Sequence, residues 1–81
     1  MAQHTSDERV LGKIESLVHE EQRLYGHADL SDGDRVRLET IQVELDQCWD
    51  LLRQRRARRE FGQDPDGATV RPASVVERYQ Q

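Results

Sequence analysis

Residues 38–52 read LETIQVELDQCWDLL, and the spacing of the apolar positions within them decides the fold. Leu38, Ile41, Leu45, Cys48 and Leu52 recur in alternating steps of three and four, which places them on one face of an α-helix. Upstream, Ser31 is a good N-cap, and Asp32 and Asp34 put negative charge at the positive end of the helix dipole. Downstream, good helix formers continue through Ala57 and Glu60, and Gly62 ends the run. The expectation is a helix over about residues 32–61, roughly 45 Å long.

The residues before it carry a second helical pattern. Thr5-Ser6-Asp7-Glu8 has the form of a capping box. Val10, Leu11, Ile14, Leu17, Val18 and Leu24 follow at helical spacing with no proline among them, so a helix is expected over about 6–25. Gly26 supplies a stop, and His27 to Leu30 form the connection. So short a connection makes the two helices antiparallel neighbours. Pairing residues whose numbers sum to about 62 tests this against the heptad pattern. Leu24 meets Leu38, Leu17 meets Leu45, Ile14 meets Cys48, Val10 meets Leu52, and Asp7 meets Arg55. These apolar residues, with Ile41, are the expected hairpin core. Glu21 falls opposite Ile41, and pairing with Arg37 or another cation at the seam edge would relieve the cost of burying it.

Residues 1–62 are thus expected to be a coiled-coil-like hairpin and residues 63–81 a mostly polar tail. Asp64-Pro65-Asp66-Gly67 is a turn signal. Ser74 and Glu77, close to Pro72, could start a short helix over 73–80 with Val75, Val76 and Tyr79 on its apolar side. Such a helix is too short to stand alone.

Hydrophobic residues make up 35% of the 81-residue chain and charged residues another 35%, so the apolar residues must be well placed for it to fold. Leu11, Val18, Trp49 and Leu51 flank the seam and widen the apolar face beyond what one partner helix covers. A second copy, giving a four-helix bundle, is the simplest cover, and the tail folding back is the other candidate. The single cysteine excludes an intrachain disulfide and a cysteine-based zinc site. The polar stretch Met1–Arg9 has no apolar signal-peptide core, and no run is long enough to span a membrane. A reducing, cytoplasmic location is the expectation.

Arg53, Arg55, Arg56, Arg58 and Arg59 make the end of the second helix strongly basic, against a net charge of −4 for the chain. Such a run could meet nucleic acid. Cations also stabilise a helix C-terminus, and several can pair with Asp7, Glu8, Asp50 and Glu60. The acid excess elsewhere favours this second reading. Together with Trp49 and Leu51, the five arginines form the candidate interaction surface. Glu15 and His19 stand at i, i+4, a metal-compatible spacing, but the second helix lacks the histidine that a bundle metal site needs. His4 and His27 fall in a terminus and a loop. Cys48 sits in the seam without a base beside it. No phosphate loop, nucleophile elbow, zinc motif or dinucleotide fingerprint is present. No catalytic, cofactor or metal residues are therefore assigned. A non-enzymatic, self-associating interaction module is expected, docking an unidentified protein, with nucleic-acid association through the arginines as the alternative.

The stretch Leu45-Asp46-Gln47-Cys48-Trp49-Asp50-Leu51-Leu52-Arg53-Gln54-Arg55-Arg56-Ala57-Arg58-Arg59 resembles a family of short actinobacterial proteins of unknown function. Gly62-Gln63-Asp64-Pro65, Val70-Arg71-Pro72 and Val75-Val76-Glu77 extend the resemblance, as does an acidic first helix ending near His19-Glu20-Glu21. It implies an actinobacterial, cytoplasmic, helical protein and carries no activity or site residues with it.

Overall fold

The computed structural model describes the backbone of residues 2–76 and the side chains of residues 7–76. Helix α1 spans Ala2–Tyr25, α2 spans Asp32–Glu60, and α3 spans Ala73–Val76. A 3-10 turn occupies Pro65–Gly67, and no strand occurs among the described residues.

Helix α1 begins at Ala2, not near Ser6 as the Thr5–Glu8 pattern predicts. A capping box starts a helix only where the preceding residues cannot continue it, and Ala2 and Gln3 are good helix formers. Helix α2 starts at its predicted cap: the Ser31 hydroxyl accepts from the Asp34 amide at 3.0 Å, and the Asp34 carboxylate accepts from the Ser31 amide at 3.2 Å. Its end is a Schellman motif. The Gln63 amide reaches the Arg58 carbonyl and the Gly62 amide reaches the Arg59 carbonyl. Gly62 has φ +73°, a left-handed conformation that glycine adopts without a Cβ penalty.

The two long helices are antiparallel, because Asp7 pairs with Arg55 at one end of the seam and Glu20 with Arg37 nearer the loop. Ile14, Leu17, Ile41, Leu45 and Cys48 form the buried cluster between them. Leu38 is buried at the loop end. Val10, Val18, Leu24 and Leu52 are partly buried against the cluster.

Glu21 does not take Arg37. Arg37 forms a two-point pair with Glu20, at 2.6 and 2.7 Å. Glu21 instead accepts from the Gln42 amide. Glu20 and Glu21 project about 100° apart around the helix, so they face opposite edges of the seam.

The tail turns back at Gly62 and runs along α2. Asp64 caps the 3-10 turn by accepting from the Asp66 amide at 2.9 Å, and Pro65 occupies its first position. Residues 68–72 lie outside helix and strand, and Ala68 at their start has extended backbone. Arg71 precedes Pro72, and the residue before proline is sterically driven toward extended backbone. Helix α3 then buries Val76, which is only 1% exposed. The rest of the predicted 73–80 helix, with Glu77 and Tyr79, lies outside the described residues. Helix α2 therefore has α1 on one side and the tail, here called the strap, on another.

Candidate interaction surfaces

The arginine run is not one surface. Arg55 is 4% exposed and is held by three groups. Its Nε donates to Asp7 of α1, and its Nη1 donates to the Pro65 carbonyl and to Asp66, each at 3.0 Å. Arg55 is therefore too buried to belong to the candidate interaction surface: it pairs with Asp7 as the register expects, at the seam phase of α2, where three acceptors replace the water it loses. Asp7 and Asp66 hold its guanidinium in the charged form. Asp7 in turn is held below the usual aspartate range by hydrogen bonds from Arg55 and then Arg59. Arg59 closes on the other oxygen of Asp7 at 2.9 Å. The Arg58 guanidinium lies against Gly67, where a Cβ would stand 2.6 Å from Nη1. Arg53 and Arg56 face outward from α2.

The strap is fixed by a second buried charge that sequence reasoning did not place. Asp50 is 1% exposed. Arg71 donates to both of its oxygens, with Nε at 2.9 Å, and Gln54 Nε2 donates to Oδ2 at 2.9 Å. The Arg71 contact is the main reason that Asp50 stays ionised below the usual aspartate range. Gln54 Nε2 also donates to the Thr69 carbonyl at 2.8 Å, and Gln47 Nε2 to the Arg71 carbonyl at 3.1 Å. In sequence, Asp50 is offered as a partner for the neighbouring arginine run, and nothing local to it signals Arg71, 21 residues on.

Apolar surface remains on both flanks of the hairpin. On the flank nearer the strap, Val10, Cys48, Leu51 and Val70 line a groove of about 190 Å³, rimmed by Arg9, Lys13, Glu44 and Gln47. Leu51 is thus half-buried in a groove wall. Burial chiefly raises the Cys48 thiol pKa, so the group is neutral. The opposite flank carries Leu11, 49% exposed, and Trp49, 46% exposed. Lys13–Glu44 and Glu20–Arg37 occupy the groove edge of the seam. Leu11 and Val18, seven residues apart, project from the other edge of α1, and Trp49 projects from the matching edge of α2. The described residues of the strap, up to Val76, leave Trp49 46% exposed.

Glu15 and His19 are both exposed beside a shallow surface depression with Ser16 and Arg23. Among the described residues, no three histidine, cysteine or acidic side chains are grouped to hold a metal ion.

Fold and surfaces together define a strapped helical hairpin with apolar surface on both flanks, Leu11 and Trp49 being the more exposed. The chain belongs to the family described as Protein of unknown function (DUF2630), which matches residues 6–81. Uncharacterized protein Mb0922c of Mycobacterium bovis is 49% identical over 78 residues, covering 91% of this chain and 90% of that protein. Uncharacterized protein Rv0898c of Mycobacterium tuberculosis matches to the same extent. No solved structure matches. Among the described residues, no helix is long and apolar enough to cross a membrane.

Proposed function

We propose that the chain is a non-enzymatic helical interaction module that pairs with a second copy of itself and presents the resulting bundle to a protein partner in the cytoplasm. The observation that carries this reading is the exposure of Leu11 and Trp49 on the hairpin flank that the described residues of the strap do not reach. Adjoining Val18 and Leu52 extend it as partly buried residues. Two such flanks brought together make a four-helix bundle with an isologous interface. Tryptophan is among the commonest anchors of such interfaces.

Intramolecular contacts of Arg55, Arg58 and Arg59 leave less of the arginine run for a phosphate backbone.

Sedimentation velocity at tens of micromolar tests the reading. The expected result is a dimer for the wild-type chain and a monomer of unchanged helicity for the Leu11→Glu/Trp49→Glu double variant. A wild-type chain that stays monomeric throughout contradicts it.

A further inference from the structure

The strap is held to α2 in a way that reads peptide chemistry. Gln47 and Gln54 lie two helical turns apart with Asp50 between them, so the three side chains share one stripe of α2. Opposite them the strap lies outside helix and strand, with Ala68 extended and Arg71 driven toward extended backbone by Pro72. Gln54 and Gln47 take the carbonyls of Thr69 and Arg71, and Asp50 takes the Arg71 guanidinium between them. The carbonyl contacts accept any extended backbone. The carboxylate accepts only a segment that brings a cation, because an unpaired carboxylate 1% exposed is costly.

Little apolar surface supports the strap beside this polar reading. Val76 is buried, but Val70 is 61% and Val75 is 37% exposed, and Thr69 and Pro72 also face solvent. A buried aspartate–arginine pair contributes selectivity more readily than net stability, since desolvation offsets much of the attraction. The strap is therefore seated by contacts that another chain can reproduce.

We propose that Gln47, Asp50 and Gln54 form a docking track for an extended, arginine-bearing segment of another protein, occupied in cis by residues 69–71 of the chain's own strap. The preferred segment presents arginine followed by proline, because proline holds the arginine backbone extended before binding. The strap is a built-in competitor whose effective concentration is of millimolar order, as expected for a short tether. A partner must exceed that threshold with contacts beyond the track, and the neighbouring apolar groove lined by Leu51 and Val70 is where such contacts are available.

The test uses the full chain and a fluorescein-labelled peptide with the sequence of residues 68–76. Arg71→Gln weakens the strap's hold on Asp50 and leaves the track intact. The peptide is expected to bind the Arg71→Gln chain about tenfold or more tighter than the wild type, which carries the cis competitor. Adding Asp50→Asn should remove that gain, as should replacing the peptide's arginine by glutamine. Equal binding to all three chains, or none to any at millimolar peptide, overturns the proposal. Should Arg71→Gln fail to fold, the wild type decides. Excess unlabelled peptide should shift the amide resonances of residues 69–76 toward free-chain positions while those of α1 hold. A strap that stays seated in millimolar peptide overturns the proposal.

Discussion

Asp7 and Arg55, 48 residues apart in the sequence, form an ion pair that closes the open end of the hairpin. Arg55 also holds Asp66 and the Pro65 carbonyl, so one guanidinium joins α1, α2 and the start of the strap.

Removing the Asp7 carboxylate should therefore loosen more than α1. Asp7→Asn leaves Arg55, with a side chain only 5% exposed, one charged partner short. The expected loss is about 1–3 kcal/mol, the range for hydrogen bonds to charged groups, reduced because Asp7 itself is partly solvated. Urea unfolding of Asp7→Asn beside Glu8→Gln, which changes an exposed acid, checks this. Equal midpoints would remove the pair from the account of stability.

Leu17→Ala and Leu45→Ala should each cost about 2–5 kcal/mol, because both side chains are buried mid-seam and leave a cavity. Val36→Ala, at a position 62% exposed, should cost far less. Thermal melts in which all three variants lose stability equally would place the core elsewhere.

The helices were legible in the sequence because their signals are local. The Leu38-to-Leu52 spacing, Ser31 with Asp34, and Gly62 each act within a turn or two of themselves. The start of α1 departs from its local signal for a related reason: Thr5–Glu8 matches a cap, but Ala2 and Gln3 let the helix run on. The strap was not legible. Asp50 meets Arg71 across 21 residues and Arg55 meets Asp66 across 11, and such partners are brought together only by the turn at Gly62. Sequence pattern opposes Arg55 to Asp7, yet it treats all five arginines alike. Burial separates Arg55 from Arg53 and Arg56.

Acid should release the polar clasps. Asp7 and Asp50 both have folded-state pKa values below those of the unfolded chain. Their stabilisation is fully present above the ordinary aspartate pKa and is lost as pH falls through the depressed folded values. Stability should hold from neutrality to about pH 5 and fall progressively below it, with a shallower fall in Asp50→Asn. Urea midpoints measured down this range check the sign, and a midpoint that rises on acidification would reverse it.

Cys48 should resist alkylation. It is 7% exposed, and burial keeps its thiol protonated, while the thiolate is the reactive form. Iodoacetamide at mildly alkaline pH should modify native protein far more slowly than urea-unfolded protein. Equal rates would mean that the seam opens readily at Cys48.

Trp49 is the only tryptophan, so its emission reports directly on the flank proposed to pair. At 46% exposure in the single chain, the indole meets water, and pairing across the Leu11–Trp49 flank removes that water. A dilution series of the wild-type chain from hundreds of micromolar to nanomolar, read as the emission maximum, is the most direct test. The emission maximum should shift to longer wavelength on dilution, following the dissociation seen by sedimentation, and should not shift in Leu11→Glu. An emission maximum that stays constant over the series while sedimentation reports a dimer would place the interface elsewhere. A constant maximum with a monomer throughout would contradict self-association itself.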